Sequence, residues 1–226
     1  MNQKVSSNEI ISYNTAMRPD FSWLSAKERG LFSKLNTPQK LQDYLNAIPQ
    51  NFELNGETCR SPKRVLRENS AHCIEGAILS AAILWYHDSW PLVMHLKTDE
   101  NDQDHVIAIF REKGYYGAIS KTNHAVLRYR DAVYRTPREL ALSYFNEYFL
   151  SKNGKKTMIG FTDAIDLKKI SGDNWLYDEN DLWELNDTLY HARHYSIAPK
   201  ILMRNLRTAD SIEMAIMCKP EQKPLK

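Results

Sequence analysis

The chain has 226 residues, 42% of them hydrophobic, which suits one globular domain or one domain with a sizeable extension. Basic residues number 30 and acidic residues 28, and the resulting net charge of +2 excludes a strongly basic nucleic-acid footprint. Nine prolines and eight glycines exclude a low-complexity or collagen-like chain, and no apolar stretch is long enough to span a bilayer. The first predicted helix is SAKERGLFSKL, in which Ser25 and Glu28 have the spacing of a capping box. A second is TPQKLQDYLNAI, with Thr37 as cap and Pro38 in the first turn. PQNFELNGETCRSP reads as a loop between Pro49 and Pro62, and PKRVLREN as a short helix. From about Ile74 to Tyr86 the residues are apolar on nearly every face, which predicts a centrally buried helix. A period of two then takes over. PLVMHLK puts Leu92, Met94 and Leu96 on one face and Val93 and His95 on the other. DHVIAIFRE puts His105, Ile107 and Ile109 together, opposite Val106, Ala108 and Phe110. EKG at 112–114 is a turn, and YYGAIS and AVLRYR are two further strands. TPRELALSYFNEYFL is a helix capped by Thr136, opened by Pro137 and boxed by Glu139. After SKNGKKTM the pattern loosens, with DLWELNDTLYHARHY and DSIEMAIMC reading as helical.

No internal repeat is visible. One buried helix followed by about four hairpin-linked strands predicts an antiparallel sheet packed on a helix, the α+β class. The expected division is a core over 1–150, N-terminal helices included, with a mainly helical extension over 151–226 packed on it. Cys59, Cys73 and Cys218 make an odd count, which argues against a disulfide framework and for a reducing compartment. The start, MNQKVSSNEIISYN, lacks the apolar core of a secretory signal, so a soluble cytoplasmic protein is expected. The short basic stretches KKTM and KPEQKPLK read as solvated segments.

Cys73 carries the chemical signal. A space-filling cysteine would fit anywhere along the apolar helix, yet this one opens it, after the polar stretch RENSAH. Helix dipoles and unpartnered first-turn N–H groups lower a thiol's pKa, and the same N–H groups can hold an oxyanion. A thiol nucleophile also needs a base within hydrogen-bond reach. His105 meets that need if the face it shares with Ile107 and Ile109 packs on the central helix. The imidazole needs an orienting partner from the neighbouring strand, and Ser120 and Asn123 stand near the end of GYYGAISKTNH. Either accepts a hydrogen bond from imidazole, and asparagine in this role is known in cysteine hydrolases.

A helix-opening cysteine, then a strand histidine, then a polar residue on the next strand resembles the transglutaminase-like branch of the papain-like fold over about residues 37–130. HCIEGA and DHVIAIF correspond to the cysteine-helix and histidine-strand motifs of that superfamily. ETCRSPKRVLRENSAHCIEGA, GAISKTN, LRYRDAVYRTPRELALSYFNEYF and NLRTAD further resemble a group of small bacterial transglutaminase-like proteins. The resemblance implies a papain-like/transglutaminase core and a cysteine-dependent acyl-transfer enzyme, a peptidase or amidase using Cys73, His105 and Asn123. Two features depart from the pattern. His105 is followed by Val106 and Ile107 where an Ala-Trp pair is usual, and the register offers Ser120 where aspartate is usual. Serine carries no charge to stabilise imidazolium, so Asn123 is the preferred orienter and Ser120 the alternative. A further oxyanion donor is expected on the 59–72 loop.

The missing aspartate also motivates an alternative, a catalytically silent binding or scaffold protein, and a third reading places the working surface in 151–226. The expected partner is a peptide-like or amide substrate, with no nucleic acid, no membrane, no cofactor and no metal. Cys59, His72 and Cys73 fit no common zinc spacing, and His191 and His194 lack a third ligand. Asp104 and Asp131 read as turn carboxylates, and Arg128 and Arg130 as strand arginines. GKKTM lacks the phosphate-loop frame.

Overall fold

The computed structural model describes residues 19–217, so Cys218, the MNQKVSSNEIISYN start and the KPEQKPLK tail lie outside the described residues. Four helices precede the sheet: α1 (Ala26–Lys34), α2 (Pro38–Ala47), α3 (Pro62–Glu68) and α4 (Cys73–Tyr86). The α1 capping box forms as the sequence predicts, with Ser25 N–H on the Glu28 carboxylate at 2.7 Å and Glu28 N–H on Ser25 Oγ at 3.3 Å. Thr37 and Ser61 cap α2 and α3 by accepting the Lys40 and Arg64 N–H, each with a proline in the first turn. Helix α4 is buried from Ile74 to Trp85, which its continuous apolar sequence requires.

Strands β1 (Leu92–Thr98), β2 (His105–Glu112) and β3 (Tyr115–Ile119) follow as an antiparallel meander. Lys113 and Gly114 join β2 to β3 with φ of 50° and 88°, the positive angles that a two-residue hairpin turn demands. Strand β4 (Arg130–Tyr134) lies outside β3, and helix α5 (Pro137–Phe145) follows it. The predicted strand AVLRYR is therefore displaced. Residues 121–129 leave the sheet, and Leu127 at φ 61° breaks any extended run through that stretch.

The chain beyond 150 adds three short strands to its helices. Strand β5 (Met158–Thr162) pairs with β1 on its free edge, β6 (Ile165–Asp166) continues that pairing, and β7 (His194–Ser196) pairs with β5. The sheet is antiparallel, in the order β4-β3-β2-β1-β5-β7. The helices of this region are α6 (Lys168–Ser171), α7 (Trp183–His191), α8 (Lys200–Met203) and α9 (Ser211–Met217). The molecule is thus mixed helix and antiparallel sheet, the α+β class.

The two faces of the sheet serve two cores. Val93, Val106, Ala108, Phe110 and Ile119 pack with α4, and Leu185 and Leu189 of α7 belong to the same layer. Met94, Leu96, Ile107, Ile109 and Ala118 pack with Leu140, Ala141 and Tyr144 of α5 on the other side. The face shared by Ile107 and Ile109 therefore turns away from α4, contrary to the condition placed on His105. Because His105 is the first residue of β2, it meets the tip of α4 at the end of the sheet. Among the described residues no helix is long and apolar enough to cross a membrane.

Candidate active site

The segment leading into α4 is fixed on both sides. Asn69 ends α3 in the left-handed conformation, at φ 50°, which asparagine tolerates. Gln50 and Ala71 form a parallel bridge, and His72 becomes the extended N-cap. Glu75 closes the turn by accepting His72 N–H at 3.1 Å. Its fully buried carboxylate also accepts Arg60 N–H at 3.1 Å, the Thr58 hydroxyl at 2.8 Å and the Asn51 side-chain amide at 3.1 Å. Four donors are what a carboxylate needs to remain in a dry interior. Cys73 thus begins α4, half-buried, where the first-turn amides have no carbonyl within the helix to bond.

Cys73 and His105 line one cavity of about 400 Å³, together with Gln50, Lys121, Asn123 and Tyr148. His105 is buried, and its Nε2 lies 2.8 Å from Ser120 Oγ. The Ser120 hydroxyl donates its proton to the Leu127 carbonyl at 2.6 Å. A carbonyl only accepts, so Ser120 Oγ must accept the His105 Nε2–H, which leaves Nδ1 for the sulfur side. The hydrogen-bond partner of the His105 ring on this side is therefore Ser120. Asn123 lies three residues further on, where the chain has left the sheet; it lines the cavity without replacing Ser120 behind the imidazole.

Ser120 is itself held on three sides. The Gln42 carboxamide of α2 clasps its backbone, donating to the carbonyl and accepting from the N–H, both at 2.9 Å. Leu127 presents the third partner from a left-handed conformation that costs a non-glycine residue about 1–3 kcal/mol. That conformation is braced by its N–H on Glu147 at 2.8 Å, and Glu147 pairs with Arg130 at 2.6 Å. Arg130 also bonds Ser143 and lies 4.2 Å above the Tyr144 ring, so it is an internal strut of the sheet and α5.

Burial alone would raise the Cys73 thiol. Hydrogen bonds from His105 and His72, followed by the charges of the two rings, outweigh it and hold the thiol well below its ordinary value. His72 Nδ1 lies 4.0 Å from the sulfur. Its Nε2 is 2.9 Å from the Thr58 carbonyl and 3.5 Å from the carboxylates of both Glu53 and Glu75. Cys59 is the opposite case: burial, then the Glu75 and Asp181 carboxylates, push its thiol far up and leave it inert.

His72, Glu75, Gln42 and Glu147 are not among the site residues expected from the sequence, where His72 is weighed and rejected as a metal ligand. Two signals pointed to the first pair. His72 and Glu75 have capping-box spacing, and Glu75 is the lone charge in an apolar helix. Gln42 and Glu147 carried no local signal, because their partners lie 78 and 20 residues away. From the 59–72 segment only His72 lines the cavity; the amide side chains there are those of Gln50, Asn51, Gln103 and Asn123.

A second cavity of about 800 Å³ shares His72, Cys73 and residues 102–104 with the first and runs along β1 to His95, Lys97 and Tyr190. Asp104 faces this side. It accepts Thr98 N–H at 2.7 Å and lies 3.2 Å from His95 Nε2, while His95 Nδ1 is 2.7 Å from His194 Nε2. Among the described residues no group of three or more His, Cys, Asp or Glu side chains is placed to hold a metal ion. No family model matches the chain, and no curated protein matches it in sequence.

Proposed function

We propose that the protein is a cysteine-dependent acyl-transfer enzyme acting on amide bonds, built on a transglutaminase-like variant of the papain-like core. The single observation that carries this reading is the linked chain of Cys73, His105 and Ser120 at the tip of α4, its thiol drawn down against its burial. Two cavities meeting at the sulfur suit a substrate that extends on both sides of the scissile bond, as a peptide does.

The Cys73 proton passes to His105 Nδ1, and the sulfur attacks the amide carbonyl carbon. A C–S bond forms and the charge moves to oxygen, where the first-turn amides of α4 receive it. Gln50, bridged to Ala71, brings a side-chain amide to the same cavity. Collapse breaks the C–N bond, and His105 Nδ1–H protonates the leaving amine. Water then attacks the thioester and gives its proton to Nδ1, releasing the acid; an amine in place of water gives transfer.

The test is release of amine from a library of short peptides and simple amides, with mass spectrometry for a thioester on Cys73. Turnover by the full chain, lost in Cys73→Ala and in His105→Ala, is the expected result. A neutral serine behind the imidazole favours a second reading, ligand binding without turnover. Peptides that bind the wild-type chain yet yield neither free amine nor acyl-enzyme would establish that reading and end the first.

A further inference from the structure

We propose that His72 is a second imidazole of the site, a resident cation that holds the Cys73 sulfur as thiolate and takes no part in proton transfer; the inference rests on Cys73 being the nucleophile. The ring is fixed at both nitrogens. Nε2 faces the Thr58 carbonyl at 2.9 Å, and a carbonyl only accepts, so this nitrogen carries a proton. In a neutral ring Nδ1 would then point a lone pair at the sulfur, 4.0 Å away. A second proton turns that contact into an attractive one between imidazolium and thiolate.

The surroundings favour the second proton. Glu53 approaches from the loop before α3 and Glu75 from α4, each with an oxygen 3.5 Å from Nε2. Arg60 opposes them, its Nε 3.7 Å from Glu75, and His105 stands across the sulfur. Burial alone lowers His72; the bond and charge of Cys73, the Glu75 charge and the bond to Thr58 reverse this and raise it to about 9.

The two imidazoles have different supports, and the difference divides their roles. His105 has a neutral hydroxyl behind it and is the ring that carries the proton of the reaction. His72 has carboxylates behind it and keeps its charge. The charge that an aspartate would bring to the base is absent at Ser120, and stabilisation of the ion pair comes from the far flank of the sulfur.

The experiment is iodoacetamide alkylation of Cys73 in the full chain, mapped by peptide mass spectrometry from pH 4 to pH 10, for wild type and His72→Gln. Glutamine retains a donor for the Thr58 carbonyl and removes the charge. His72→Gln should move the midpoint of the profile up by about one unit or more, so alkylation at pH 6 falls about tenfold. An unmoved midpoint in His72→Gln overturns the proposal, as does a wild-type midpoint near the free-thiol value of about 8.5. If His72→Gln does not fold, proton NMR of the His72 ring in the wild-type chain decides: a titration midpoint of about 9 supports the resident cation, and one at or below the free value of about 6.5 removes it. Alkylation needs no substrate, so a chain with a low midpoint and no amide turnover sinks the hydrolase reading alone.

Discussion

Ser120 and Asn123 are both short polar residues beyond the same strand, and only one of them touches the imidazole. Replacing Ser120 by alanine leaves His105 Nε2–H without its acceptor in a buried site. A neutral hydrogen bond contributes about 1 kcal/mol net, so acylation of Cys73 by an activated ester at pH 7 should slow by about fivefold in Ser120→Ala. Asn123→Ala should leave that rate at the wild-type value. A loss in Asn123→Ala with Ser120→Ala unaffected would reverse the assignment made from the 2.8 Å contact. At this scale the sequence brought out the candidate nucleophile and base, since a helix-opening cysteine and a strand-opening histidine each have a local physical signature. Charge ranks Asn123 above Ser120, whereas the contact with the imidazole depends on where the chain leaves the sheet, and that is set by Gln42, 78 residues away, and by Leu127 in the loop that follows.

Among the elements, α4 passes close to the 121–129 segment beside the site. Gly76 makes it possible: a Cβ there would stand 2.5 Å from Lys121 Cβ, and Lys121 is buried with its Nζ on the Ile48 carbonyl at 2.7 Å. Gly76→Ala should therefore destabilise despite the better helix propensity of alanine. Overpacking of this kind costs about 1–3 kcal/mol, which in a chain of this size lowers Tm by about 2–12 °C. A melt showing an unchanged or raised Tm would mean that the two segments separate without cost. Helices α1, α2, α4 and α5 were legible because caps and apolar periodicity are local properties. Strands β5 and β7 were not, because Gly160 interrupts the first and the second has three residues. Strand β5 is defined by the free edge of β1, and β7 by the free edge of β5.

For the whole molecule, the thiolate and imidazolium at Cys73 and His72 leave a mark on stability against pH. The folded chain holds Cys73 below its ordinary value and His72 at about 9. From about pH 6.5 to about 8.5 the unfolded chain carries one proton on this pair, on the thiol, and the folded chain also carries one, on the imidazole. The pair's contribution is therefore flat across that window. Below it the unfolded chain gains a second proton and stability falls as pH drops. Above it the unfolded chain has none while His72 still holds one, and stability falls as pH rises through about 9. Urea titrations of wild type against a His72→Gln, Cys73→Ala double variant should give a difference with this flat-topped form. A difference that climbs steadily from pH 6.5 to 8.5 would mean that His72 is neutral in the folded chain.

The α+β class was legible at this scale from one apolar helix followed by alternating strands, but the place of the last third of the chain was not. Strand β1 lies in the interior of the sheet order, yet its second neighbour begins at Met158, 60 residues after β1 ends at Thr98. A ribosome adding about 5–20 residues per second needs several seconds to cover that gap. Throughout that time the nascent chain displays an open hydrogen-bonding edge beside a hydrophobic helix, the kind of surface that recruits another strand. Newborn copies crowded on one messenger should depend on a holdase during those seconds, and a chain ending at residue 150 should remain in that dependent state.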